Sequence, residues 1–323
     1  MGLARLALVQ RTGLVAADAM SSPIQTVAAV VVCFHPEPQA LRALVQSLMP
    51  DVKQVWLINN GPQGSLGVDW GEGVACMDCG GNAGVAAALN MGFEQAFAHG
   101  ADAVIGFDQD SQPTPGLASQ LREHWNREIE LRPHARLGGL GPTLRDSEAN
   151  HHLHSFAPYN WLRRRVWALP GACHEVDHLI TSGCLISQQA WREIGGMNAS
   201  LFIDWVDVEW CGRARHAGYQ LLMDGDAVLV HRIGARSQAL LGRHFHVHAP
   251  FRHYFVLRNA LIIWRDKRFA LGWRTHHVFY ATRIILANLL FAPHRVERLH
   301  CVWRGFLDGV MHRTGAQGQV PSE

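Results

Sequence analysis

Eighteen consecutive apolar residues, about the least that reads as a membrane-spanning helix, occur nowhere in this chain. The longest apolar tract, residues 277–293, is broken by Arg283 and Asn288. Residues 1–22 carry Arg5 and Arg11 but no uninterrupted apolar core, which argues against a secretory signal and predicts a loose extension over residues 1–25. Cysteine is scarce: seven residues, an odd number without small-scaffold spacing, so a disulfide framework is disfavoured and a reducing, cytoplasmic setting is predicted. Cys76 and Cys79 form a CxxC, but no second CxxC exists to complete a zinc site. That pair falls at a strand end before Gly80 and Gly81, whereas a thioredoxin-like motif opens a helix. After the first strand stands CFHPEP (residues 33–38) in place of GxGxxG, and no P-loop occurs, which disfavours a conventional NAD or ATP fold. Internal repeats and low-complexity segments are missing too.

What is present suits a sizeable core. A chain of 323 residues with 48% hydrophobic and 17% charged residues fits one large or two modest domains. Its charge is uneven. Residues 241–323 hold twelve basic residues (Lys267 and eleven arginines) against four acids, although the whole chain is only +2. A tail of that sign predicts contact with something anionic: phosphate, nucleic acid or a lipid surface. The 20 histidines are widely spread and most need no metal to explain them.

From residue 26 onward strands and helices alternate. Residues 26–34 (TVAAVVVCF) form a near-continuous apolar run, expected of a strand covered on both faces. Leu41, Leu44, Val45 and Leu48 then have helical spacing. Residues 52–58 give a second strand ending in the turn Asn59, Asn60, Gly61, Pro62, and residues 74–77 a short third. An Ala-rich helix spans residues 85–99, and residues 103–107 give a fourth strand. Such an order predicts a parallel sheet with right-handed crossovers.

Polar residues gather in the loops after these strands. Asp108 and Asp110, two residues apart, end the fourth strand and are followed by Pro113 and Pro115. Ligands bind open α/β sheets at the C-terminal ends of strands, and oxygen ligands on a turn suit a hard cation such as Mg²⁺ or Mn²⁺ carrying phosphates. Taken alone, the two acids equally fit a solvated loop. Farther along, residues 181–187 (TSGCLIS) read as a turn feeding a strand, residues 191–197 as a helix ending at Gly195 and Gly196, and a further helix begins near Trp205. On that helix Glu209 and Arg213 are spaced to pair. Asp207 stands near its N-terminus on another side, either as a general base or as an acid complementing the helix dipole. His231, after the apolar residues 227–230, is either a metal ligand or a core histidine.

Four segments together, NAGVAAALN (residues 82–90), FDQDS (107–111), FIDWVDVEWCGR (202–213) and RHYFVLRN (252–259), make the chain resemble a family 2 glycosyltransferase of the GT-A fold, most similar to bacterial dTDP-rhamnosyltransferases. The resemblance covers residues 26–265. It implies an α/β fold with a mostly parallel central sheet flanked by helices over residues 26–245, and a basic helical extension over residues 246–323. It implies Asp108 and Asp110 as ligands of the nucleotide ribose and of Mg²⁺ or Mn²⁺, His231 as a further metal ligand, and Asp207 as the base. Asn59, Asn82, Gly84, Asn90 and Gln109 are implied on the donor side. Ser182, Gly183, Asp204 and Trp205 are implied at the sugar or acceptor site, with Arg252 and Arg258 as candidate phosphate-binding cations. Asn59 stands where the family usually has Asp; its oxygen can still accept from a pyrimidine N3–H.

The activity so implied is inverting transfer of a sugar, L-rhamnose from dTDP-L-rhamnose in first place and a UDP-linked sugar in second, to a glycan or lipid-linked acceptor. Acceptor choice would reside in loops such as residues 151–167. A nucleotidyltransferase would also use acids and a metal, but the Gly-rich, Lys-bearing loop expected after its first strand is missing. A nucleic-acid or membrane-surface protein would explain the basic tail but not the acids placed after apolar strands, and nucleic acid is not an expected partner. In the tail, Phe255, Leu261, Ile262, Trp264, Phe279, Ile284, Ile285, Leu289 and Leu290 are interleaved with Arg252, Arg258, Arg265, Arg268, Arg274 and Arg283. That pattern fits a pair of helices packed on the catalytic domain, or a helix lying on the inner face of a membrane.

Overall fold

The computed structural model describes residues 20–67, 69–146, 155–156, 165–231, 237–240 and 243–316. In chain order the elements are β1 (Val27–Cys33), α1 (Pro38–Leu48), β2 (Gln54–Asn59), β3 (Val74–Asp78), α2 (Val85–Ala98), β4 (Ala103–Asp108), β5 (Gln112–Pro113), α3 (Leu117–Leu131) and β6 (Leu137–Asp146). There follow β7 (Ser155–Phe156), β8 (Arg165–Val166), β9 (Cys173–Glu175), β10 (Leu185–Ser187), α4 (Gln188–Ile194) and a 3₁₀ turn (Ala199–Leu201). The chain continues through α5 (Val206–His216), β11 (Gln220–His231), β12 (Ser237–Leu240), β13 (Arg243–His246), α6 (Arg252–Arg265), α7 (Leu271–Phe291) and α8 (Arg295–Val310).

The central sheet runs β3-β2-β1-β4-β10-β6-β11-β5, with β9 pairing β11. Strand alternation divides the core into two layers. Ala28, Val30 and Val32 of β1 face α2, α4 and α5; Val27, Ala29, Val31 and Cys33 face α1 and α3. Burial of β1 on both faces is why its sequence is apolar without interruption. Helix α2 lies so close to the sheet that a Cβ on Gly92 would stand 2.4 Å from Val30 Cγ1.

The four strands β3, β2, β1 and β4 are parallel as expected. Beyond β4 the sheet is mixed, because β10 runs antiparallel between β4 and β6, as do β5 and β9 against β11. Neither β5 nor β10 is longer than three residues, too short for the local pattern to reveal direction. Helix α4 starts at Gln188, earlier than its apolar spacing indicates, because the Ser187 hydroxyl caps it through Ala190 N–H (3.1 Å).

One boundary and one helix count differ from expectation. Ile24 is buried, Ser21 Oγ accepts from Leu137 N–H (2.6 Å) and the Ser22 carbonyl accepts from Trp125 Nε1 (3.2 Å). Residues 21–25 therefore belong to the domain and not to a loose extension; residues 1–19 lie outside the described residues. Among the described residues the tail holds three helices, not a pair. Phe255, Ile262 and Ile285 are buried, so the membrane-helix expectation fails for those three residues. Helix α6 is enclosed on nearly every side: Gly305 and Gly309 of α8 let that helix meet the α6 backbone, where a Cβ on Gly305 would fall 2.5 Å from the Tyr254 carbonyl.

Candidate active site

Parallel register aligns the site. Cys33 pairs with Asn59, Asn59 with Asp78, and Val32 with Asp108, so Asn59, Asp78 and Asp108 stand along one C-terminal edge of the sheet. Asn59 is buried, and its Oδ1 accepts from Gly61 N–H (3.1 Å) and Ser65 Oγ (3.0 Å) while Nδ2 donates to the Pro62 carbonyl (2.8 Å) and to Asp78. Its amide is thus committed to shaping the turn. The exposed carboxylate beside it is Asp78, which sequence reasoning missed; its sole local signal was its place at the end of a parallel strand. Asn60 bridges to the next loop, accepting from Ala83 N–H (2.8 Å) and donating to Asn82 Oδ1 (3.3 Å), which also accepts from Gly84 N–H (3.1 Å).

Asp108 ends β4 and Asp110 is exposed on the turn that follows. Gln109 ties that turn to the end of β1, donating to the Phe34 carbonyl (3.0 Å) and accepting from Phe34 N–H (2.6 Å). Beneath it, the buried hydroxyls of Ser111 and Ser182 lie 2.6 Å apart, and Gly183 N–H donates to the Gly106 carbonyl (2.8 Å). Gly183 has φ 80°, and a Cβ there would press on Pro142 at 2.8 Å. Residues 181–183 are thereby held against the strand that carries Asp108.

Among the described residues, half of the six non-glycine positions with positive φ lie just before α5. Phe202, Asp204 and Trp205 all have positive φ (69°, 63° and 65°), uncommon for residues with a Cβ. Such strain persists when the surroundings over-determine it, and it gathers at functional sites. Asn259, fully buried on α6, donates through Nδ2 to the carbonyls of Leu201 (2.9 Å), Ile203 (2.8 Å) and Asp204 (3.0 Å). Trp205 Nε1 donates to the Val256 carbonyl (2.9 Å), and Arg252 grips Asp204 with two nitrogens. Arg258 is buried and donates to Ser200, Leu201, Gly315 and Asn259. Its role as a phosphate-binding cation is therefore corrected: every nitrogen is engaged inside the protein, and it braces the strained loop. Asn90 is corrected likewise. Its amide donates to the Met197 carbonyl (2.9 Å) and accepts from Met197 N–H (2.7 Å), clamping the loop before the 3₁₀ turn.

Gly84 packs on that same strained loop. Its φ is 86°, and a Cβ would lie 2.6 Å from the Phe202 ring and 2.7 Å from the Phe202 carbonyl. Asp207 sits in the first turn of α5, half-buried, with Oδ1 accepting from Val208 N–H (2.8 Å). Burial raises its pKa from the ordinary aspartate value, His178 and the Val208 bond oppose the rise, and Asp204 adds to it. Glu209 and Arg213 do pair, Nε lying 2.9 and 3.0 Å from the two carboxylate oxygens. Arg252 feels Asp204 first and then Asp108 and Asp207, all of which hold its charge in place. Its ion pair is with Asp204; Asp108 and Asp207 act on it through the weaker longer-range field. His231 ends β11, but its side chain lies outside the described residues, as does most of the loop 151–167.

The mixed central sheet flanked by helices is a GT-A fold, and this chain is a glycosyltransferase. It resembles the rhamnosyl-transferring members: the dTDP-rhamnosyl transferase RfbF of Shigella flexneri is 28% identical over 293 residues, covering 89% of this chain and 96% of the relative. The low-salt glycan biosynthesis hexosyltransferase Agl10 of Haloferax volcanii is 27% identical over 153 residues, covering 46% of this chain and 48% of the relative. Among solved structures, GalNAc-T7 with UDP, GalNAc and Mn²⁺ superimposes with a TM-score of 0.55 at 13% identity, over 84% of this chain and 59% of that one. No family model matches the chain.

Proposed function

We propose that this chain is a family 2 enzyme that moves L-rhamnose from dTDP-L-rhamnose, with inversion, to a hydroxyl of a glycan or lipid-linked acceptor in cell-surface polysaccharide synthesis. The observation that carries the chemistry is Asp207: a half-buried carboxylate in the first turn of α5, with raised pKa, directly after the strained loop that Arg252 and Asn259 hold. The choice of sugar is supported by the likeness to RfbF along 96% of that protein. Asp207 accepts the proton of the acceptor hydroxyl, which attacks the anomeric carbon from the side opposite the nucleotide. A base whose pKa lies nearer the working pH transfers protons more effectively. Arg252, pinned by Asp204, presents positive charge beside the departing diphosphate. Asp78, held in place by the Asn59 amide, faces the base moiety at the edge of β2 and β3, and Asn82 and Gly84 set the loop over the donor. Ser182, Gly183 and Trp205 border the sugar.

Asp108 and Asp110 offer an all-oxygen donor set on one turn, which fits Mg²⁺ or Mn²⁺. Such an ion, bound there, would neutralise charge on the diphosphate.

Contact with the inner membrane surface is part of the same reading, and its carrier is α8 more than α6. Val296, Leu299, Trp303, Phe306 and Val310 recur at the spacing of a single helix face, and all are exposed, Val296 by 83% and Trp303 by 60%. Phe279, Leu286 and Leu290 of α7 are exposed too. Arg283, Arg295 and Arg304 are exposed on these helices, a basic border that suits anionic lipid. Among the described residues no helix is long and apolar enough to cross a membrane.

Calorimetric titration of the protein with dTDP-L-rhamnose and with UDP-linked sugars, with and without Mn²⁺, tests the donor. Tighter binding of dTDP-L-rhamnose is expected. Preference for a UDP-sugar would move the assignment to another donor, and binding of neither would overturn it.

A further inference from the structure

A second polar cluster lies on the other face of the sheet from Asp207. Cys173 of β9 and Asp224 of β11 are direct partners in antiparallel register, so their side chains leave the sheet on one face. Helix α3 lays His124 over them, with Nδ1 in contact with Asp224 Oδ2. The ligand atoms of His124, Cys173 and Asp224 all lie within 4.8 Å of one another. Asp224 is 1% exposed, and its Oδ1 is fixed by Asp226 N–H (2.8 Å) and Ala227 N–H (3.2 Å), which leaves Oδ2 aimed at the cluster. Glu128, one turn beyond His124 on α3, is buried beside Cys173 with its Oε2 paired to Arg132 Nε at 2.9 Å.

We propose that His124, Cys173 and Asp224 form a structural zinc site, with Glu128 or water in the fourth position, separate from the Asp108 and Asp110 turn. A tetrahedral ion with Zn–N of about 2.0 Å and Zn–S of about 2.3 Å separates its ligand atoms by roughly 3.3–3.8 Å. A trio already within 4.8 Å lies close to that spacing. On binding, the Cys173 thiol gives its proton to solvent, neutral His124 supplies Nδ1, and the carboxylate supplies Oδ2. A thiolate with an imidazole selects zinc over the hard ions suited to Asp108 and Asp110. The ion would tie α3 and β9 to β11 where β11 bulges between Asp224 and Val228. There Gly225 meets Leu169, with a Cβ falling 2.0 Å from its carbonyl oxygen. It would thus anchor residues 167–175, the segment that follows loop 151–167.

The test is titration of chelator-stripped full-length protein with Co²⁺ and Zn²⁺. One equivalent of Co²⁺ is expected to give a near-ultraviolet thiolate charge-transfer band with strong tetrahedral visible bands, bleached by Zn²⁺. Zinc at about a hundredfold over its Kd should raise Tm by about 5 °C. Cys173→Ser should lose the charge-transfer band and His124→Asn should lose the Tm rise, whereas Cys76→Ser with Cys79→Ser should keep both. Absence of band and Tm rise in the wild-type protein would overturn the site, and so would a band that survives Cys173→Ser but not the Cys76 and Cys79 pair. The wild-type titration decides even if a variant fails to fold. None of these readouts uses the transferase reaction.

Discussion

Replacing Asn259 with leucine keeps the volume on α6 but removes the Nδ2 donor shared by the carbonyls of Leu201, Ile203 and Asp204. The amide has two hydrogens, so about two buried bonds are lost, each costing about 1–3 kcal/mol when the acceptor is left dry. The loop they hold contains three non-glycine residues at positive φ, each strained by at least about 1 kcal/mol. Clamp and strain are therefore of similar size, and without the clamp the loop relaxes. If about 3 kcal/mol falls on the loop, its competent fraction drops about a hundredfold. Sugar-transfer turnover should then fall by about that factor, and Tm by about 5 °C or more. Asp207→Asn provides the contrast, losing turnover while the loop stays folded. Turnover within about threefold of wild type with unchanged Tm would refute the argument that α6 holds the catalytic loop in strain.

Asp207→Asn should lower transfer by about 10²–10⁴ while donor binding persists; a variant keeping a tenth of wild-type turnover would remove Asp207 as the base. Because burial raises the pKa of Asp207 in the folded protein, folding favours its protonated form. Its contribution is present below the ordinary carboxylate pKa and is lost as pH rises through the raised value. Asp207→Asn should therefore raise Tm near neutral pH, with the gain shrinking as pH falls below the carboxylate range, as thermal melts across a pH series would read. Excess EDTA, or Asp110→Asn, should weaken donor binding; calorimetry showing unchanged affinity in both would rule out a metal at that turn. On anionic liposomes the protein should sediment at low salt and release as salt rises, and Trp303→Glu with Leu299→Glu should abolish sedimentation; equal binding to neutral vesicles would leave α8 no lipid preference.

Strand and helix alternation, the acids after β4, the Glu209–Arg213 pair and the acid at the start of α5 were legible because each is local. A near-continuous apolar run, an i, i+4 pair and a turn after a strand carry their meaning within a few residues. The sequence alone therefore determined the α/β class and the place of Asp108, Asp110 and Asp207. It could not determine that Arg258 and Asn259 brace residues 200–204, some 55 positions away, nor that Asn90 clamps Met197 across 107. A buried arginine and a phosphate-binding arginine look alike until their partners are present. The same holds for the tail, where Phe255 and Ile262 are buried while Phe279 and Trp303 are exposed, though all four are apolar residues on helices. Only tertiary packing settled these, because the face of α6 that α8 covers through Gly305 and Gly309 is fixed by contacts between segments that no local period records.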